Sequence, residues 1–124
     1  MAVTFTDYLL DLLLNELDTQ AERFDICSQN PTTFIEATNT YTLGNSTSVS
    51  VSAPEDGDTS GRKVVFSAIN DGVTTGSGTA THFAITDFNS ERLLFSGTLT
   101  TQQPVISGNV FTNPSFDFEI PDIA

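Results

Sequence analysis

His82 and Cys27 are the only histidine and the only cysteine in the chain, so any thiol nucleophile with an imidazole base must be made from them. Such a dyad needs the two side chains within hydrogen-bond reach, with an aspartate to orient the ring. No strained nucleophile turn precedes either residue, and nothing in the spacing brings them together. His82 sits among alanines and threonines in a predicted strand and reads as a structural side chain. A second candidate is the loop with Glu55, Asp56 and Asp58. Carboxylates two residues apart around a glycine can offer oxygens to calcium, which wants six or more. The run lacks both the spacing of the EF-hand loop and its closing glutamate, so it reads as an acidic surface turn, with a weak calcium site that orders the loop as the alternative. Gly76-Ser77-Gly78 follows a strand, but no helix opens behind it to hold a phosphate. It is expected to be a bulge or bend. The chain is therefore not expected to be an enzyme: no catalytic residue, no cofactor and no bound metal are assigned.

The elements around these residues are mostly strands. Val49, Val51 and Ala53 alternate with serines; Val64, Phe66 and Ala68 alternate with Val65, Ser67 and Ile69; Phe116, Phe118 and Ile120 alternate with Ser115, Asp117 and Glu119. A period of two puts one set of side chains on a buried face and the other in water. Strands are predicted at 23–28, 47–53, 62–69, 79–87, 92–101 and 110–120, the last broken at Asn113-Pro114. Asn70-Asp71-Gly72 has the form of a hairpin turn, with a return strand from Val73. The fold class is mainly β, an antiparallel β-sandwich or small barrel with an N-terminal amphipathic helix.

That helix is the only long one. Leu9, Leu10, Leu13, Leu14 and Leu17 recur at three- and four-residue spacing, with Asp7, Asp11, Asn15 and Asp18 opposite and Thr6 as N-cap. Leu12 falls off the stripe and is predicted to be partly exposed. The helix either covers the sheet or docks on another chain, and in the second case Leu9, Leu10, Leu12, Leu13, Leu14 and Leu17 are the candidate partner interface. Thr33-Phe34-Ile35-Glu36 has the capping-box pattern and predicts a helical turn through Ala37. With 124 residues and no linker, the chain reads as a single domain, 1–124: helix 1–20, a mixed segment 21–46 and an antiparallel region 47–120, ending in an extended tail at 121–124.

Sixteen acids against Arg23, Arg62, Lys63 and Arg92 give a formal net charge of −12. Nucleic acid is bound by cations that displace its counterions, and this chain has almost none, so no direct nucleic acid partner is expected. An anionic membrane surface is disfavoured for the same reason. A basic partner surface or plain solubility fits better. Asp7 and Asp11 interrupt the apolar N-terminus and no basic region precedes it, so it does not read as a secretory signal. The Asn45-Ser46-Thr47 sequon is then not expected to carry glycan.

Several segments taken in order carry a resemblance. They are Leu9-Leu10-Asp11, Phe24-Asp25-Ile26-Cys27-Ser28, Pro31-Thr32-Thr33, Glu36-Ala37-Thr38 and Tyr41-Thr42-Leu43-Gly44. Asp56 through Arg62, Gly78 through Asp87 and Ser107 through Phe111 complete them. Spanning nearly the whole chain, they resemble small virion structural proteins of tailed bacteriophages, most like a head decoration (capsid cement) protein. The resemblance implies a virion structural protein on the outer capsid surface, made in the host cytoplasm. Its partner is the major capsid protein, and it is a homo-oligomer, a trimer among the options, that stabilises the head by binding between capsid subunits. The alternative is a low-copy tail, neck or adsorption component that binds a host surface ligand through the loops at 54–61 and 88–90.

Overall fold

The structure, a computed structural model, describes residues 4–121. The tail expected at 121–124 therefore lies, beyond Pro121, outside the described residues. Among the described residues there are one α-helix and nine strands: α1 (Asp7–Gln20), β1 (Arg23–Cys27), β2 (Thr42–Ser46), β3 (Glu55–Asp56), β4 (Arg62–Phe66), β5 (Ile69–Thr74), β6 (Gly78–Asp87), β7 (Arg92–Val105), β8 (Val110–Asn113) and β9 (Phe116–Ile120). They belong to two compact units. The first holds the chain up to Gln20, Ser50–Ala68 and the chain from Pro114; the second holds Ala21–Val49 and Ile69–Asn113. The protein is mainly β, of the small sandwich or half-barrel class, with a short N-terminal helix.

In the first unit α1 packs on β4, the centre of an antiparallel sheet ordered β3-β4-β9. The Leu9 amide donates to Thr6 Oγ1 at 3.2 Å, so Thr6 is the N-cap. Leu10 and Leu14, one turn apart, are fully buried, as are Val64 and nearly all of Phe66. The period of two holds here: Val64 pairs with Phe118 and Phe66 with Phe116. The Phe66 and Phe116 rings stack with centroids 4.9 Å apart.

The second unit is a six-stranded antiparallel sheet ordered β7-β6-β1-β2-β5-β8. Five strand spacings would set its edges about 24 Å apart if it were flat. Instead the Gln103 side-chain amide on β7 donates to the Thr112 carbonyl on β8 at 3.0 Å. Phe24 on β1 meets Phe111, three strands away, with ring centroids 6.3 Å apart. The sheet is therefore curled until its edges approach, as a half-barrel. Phe24, Ile26, Phe83 and Ile85 fill the inner face, and Phe24 stacks on Phe83 at 5.7 Å. Glycines make room for these rings. A Cβ on Gly72 would lie 2.4 Å from Phe111, and one on Gly97 would lie 2.8 Å from Phe83.

The other face of β1 is covered by the segment before β2. Thr33 Oγ1 accepts from the Glu36 amide at 3.1 Å as a capping box requires, while Glu36 reaches back to the Thr32 amide at 2.8 Å. Helical turns follow from Phe34, with π-type hydrogen bonding over Glu36–Thr40. Pro31 and Ala37 are buried, and Phe34 packs on Phe88 at 5.6 Å.

Three predictions need correction. Asn70-Asp71-Gly72 is not a hairpin turn but lies inside β5, where the register with β8 slips between Ile69 and Gly72. The Asp-Gly pair serves other ends. Asp71 accepts hydroxyls from Ser46 at 2.8 Å and Ser48 at 2.5 Å, and Gly72 admits the Phe111 ring. The reversal comes instead at 75–77, where the Thr75 and Gly76 amides donate to the Leu43 carbonyl. The predicted strand at 47–53 is reduced to a single bridge between Val51 and Phe66. Its serines satisfy the backbone in other ways, as when Ser52 Oγ accepts from the Val65 amide. The predicted strand at 62–69 ends at Phe66, and Ile69 opens a strand of the other sheet.

Candidate functional site

Antiparallel pairing of β1 with β6 sets Cys27 directly opposite His82. Strand register, invisible in the spacing, is what brings the two together. The thiol is fully buried and points to the Ala37 carbonyl at 3.7 Å. Burial, reinforced by the Asp25 charge, pushes the Cys27 pKa up to about 12. A thiol held protonated is a poor nucleophile. His82 Nδ1 lies 2.8 Å from Thr81 Oγ1, and that hydroxyl donates to the Ser28 carbonyl at 3.0 Å. A hydroxyl has one proton to give, so Nδ1 must be the donor in this pair. The imidazole is thus tied through Nδ1 to its own strand.

Two of the three carboxylates of the acidic loop find cations within their own unit. Asp56 accepts from Arg62 at 2.7 Å, and Asp58 from Lys63 at 2.7 Å. Lys63 also reaches Asp117 at 3.0 Å, and Glu119 accepts the Asp58 amide. The Lys63 hydrogen bond holds the Asp58 carboxyl below its ordinary range and raises the lysine in turn. Among the described residues no group of three acids, histidines or cysteines is placed to hold a metal ion.

The other two cations are also engaged. Arg23 forks onto Asp25 at 2.8 and 3.0 Å and lies over the Phe88 ring at 4.6 Å. Thr42 completes the buried carboxylate at 2.7 Å, yet burial still raises the Asp25 pKa. Arg92 pairs with Asp87 at 3.3 Å. All four cations of the chain are therefore in ion pairs, which leaves the excess of acids uncompensated at the surface. Against that background no charged residue occurs between Arg92 and Asp117, a stretch that contains both edge strands of the curled sheet. This uncharged run is plain in the sequence, yet a reading by alternation passes over it because it counts apolar positions, not missing charges.

Within that run a groove of about 240 Å³ lies between the end of β7 and the start of β8, lined by Gln103, Pro104, Val105, Ile106, Val110 and Thr112. The Thr74 hydroxyl beside it has no hydrogen-bond partner, but it is sealed from solvent and so is not offered to a ligand.

The six leucines of the predicted interface divide sharply. Leu10 and Leu14 are fully buried and Leu17 is half-buried. Leu9, Leu12 and Leu13 are 41, 48 and 50 % exposed, and Tyr8 is 73 % exposed. The buried stripe is rotated from the one expected. Asp11, placed on the polar side by the sequence, turns inward and accepts from Arg62 Nε at 2.8 Å. That ion pair rolls Leu9 and Leu13 outward beside Leu12. Positions 8 and 12, 9 and 12, and 9 and 13 are helix neighbours, so the exposed side chains form one continuous apolar face.

No protein family, no curated protein and no solved structure matches this chain. Among the described residues no helix is long and apolar enough to cross a membrane.

Proposed function

We propose that this chain is a bacteriophage virion structural protein, a head decoration protein that stabilises the capsid by binding between major capsid subunits. The observation that carries the reading is the apolar face of Tyr8, Leu9, Leu12 and Leu13, left open by a helix that already buries Leu10 and Leu14 in its own unit. An exposed apolar helix face of this kind marks an interaction surface. The resemblance of its ordered segments to small phage virion proteins supports a virion location. The surplus of unpaired acids supports it, since an outer-surface protein must stay off the packaged genome. Copies gathered around a shell symmetry axis, a trimer among the options, meet with least repulsion through the uncharged run after Arg92. The protein works by adding interface at each seam and has no enzymatic role, cofactor or membrane association in this reading.

The groove beside Ile106 favours a second reading, in which a low-copy tail, neck or adsorption component takes a host surface ligand there. Copy number separates the two. Quantitative mass spectrometry of purified particles is expected to find on the order of hundreds of copies, in simple ratio to the shell subunit. A handful per particle would transfer the protein to the tail, and none at all would end the virion reading.

A further inference from the structure

We propose that the exposed face of α1 docks into an apolar cleft rimmed by lysine or arginine on a different protein, and not against a second copy of this chain. The apolar part is Tyr8, Leu9, Leu12 and Leu13. The helix also carries Asp7, Asp11, Glu16 and Asp18 and no basic residue. Asp7 and Asp18 share the stripe of Asp11, which is bound to Arg62, away from the exposed leucines; Glu16, one turn beyond Leu12 and Leu13, lies in the apolar face and accepts from Gln20, a neutral donor, at 2.7 Å.

A second copy could cover the leucines but has no free cation to set against Glu16. Helix against helix would cover Glu16 on both copies with no opposite charge beside it. The rest of the chain has no cation to spare: Arg62 is shared by Asp11 and Asp56, Lys63 by Asp58 and Asp117, and Arg23 is held by Asp25. Arg92 is the most exposed of the four, and it already pairs with Asp87. A cleft whose rim sets a cation opposite Glu16 matches both parts of the face, and the uncompensated Glu16 penalises self-association through it. A lipid surface fits poorly, because interfacial helices carry their charge as lysine and arginine.

This names the partner chemistry of the surface on which the functional reading rests. Its test needs no particle, so absence from virions and failure to bind the probes below are separate results. The probes are three designed helical peptides: leucines flanked by lysines, the same leucines flanked by glutamates, and the same lysines with the leucines changed to glutamine. Fluorescence anisotropy is expected to show that the full chain binds the first far better than either other, with binding that weakens as salt rises. Leu12→Ser and Leu9→Ser preserve the fold, checked by circular dichroism, and weaken that binding about tenfold or more. Equal affinity of wild type and Leu12→Ser would mean attraction by charge alone and would overturn the proposal. So would a dimer in sedimentation velocity that Leu12→Ser dissolves, or saturable vesicle binding lost in the same variant.

Discussion

The two sides of α1 carry the same residue type to opposite ends. Leu10 and Leu14 lie against β4 and are sealed from water, whereas Leu9, Leu12 and Leu13 are about half exposed on the same four turns. A leucine count cannot separate them. The Asp11–Arg62 pair does, because it fixes which stripe of the helix faces the sheet. A side chain buried in its own unit contributes to folding, while one left open contributes nothing until a partner covers it. Substitutions on the two sides should therefore move different observables.

The largest effect is expected at the sealed side. Leu14→Ala removes a fully buried side chain and should cost about 2–5 kcal/mol in urea unfolding. Leu12→Ser should shift the same transition by no more than about 0.5 kcal/mol. Equal losses at both positions would erase the distinction.

Next comes a control for packing away from the helix. Gly72→Ala places a methyl 2.4 Å from the Phe111 ring and should destabilise the chain by about 1–3 kcal/mol, with partial recovery on adding Phe111→Leu. A neutral Gly72→Ala would mean that the inner face has slack and that curvature does not depend on the glycine. Smaller again, Thr6→Ala removes the cap of α1 and should cost about 1 kcal/mol, read by thermal melting. Because it loosens the helix as a whole, it should weaken docking as well as folding, unlike Leu12→Ser.

The smallest effect concerns acid. Hydrogen bonds from Ser48 and Ser46 hold the Asp71 carboxyl below its ordinary range. A depressed folded value means that its contribution is present above the unfolded pKa, about 3.9, and fades as pH falls through the folded one. Asp25, raised by burial, has the opposite sign: its folded form keeps a proton that the unfolded form has lost, so stability falls as pH rises through that interval. Ser48→Ala should therefore flatten the loss of stability between about pH 5 and pH 3, followed by urea titration at each pH. An unchanged slope would show that the hydroxyl does not set the Asp71 proton affinity.

Much of the fold was legible because it follows from local pattern. The α1 cap at Thr6, the break at Asn113-Pro114, and the strands at 79–87 and 116–120 each rest on a period or a blocked donor that needs no distant partner. Failures came where a signal has two physical uses. Asp71-Gly72 reads as a turn by its tolerance of positive φ, but Phe111 needs the missing side chain and Ser46 needs the carboxylate. At the candidate interface the leucines were visible but their division was not, since it depends on an arginine some fifty residues away from Asp11. The Cys27–His82 register was hidden for the same reason.

The most direct test counts the chain on purified particles assembled with wild type or with Leu12→Ser, after matched urea curves show both equally folded. On the order of hundreds of wild-type copies, set by shell symmetry, and few of the variant are expected. Equal occupancy by both would contradict this, because the open face of α1 would then have no part in docking.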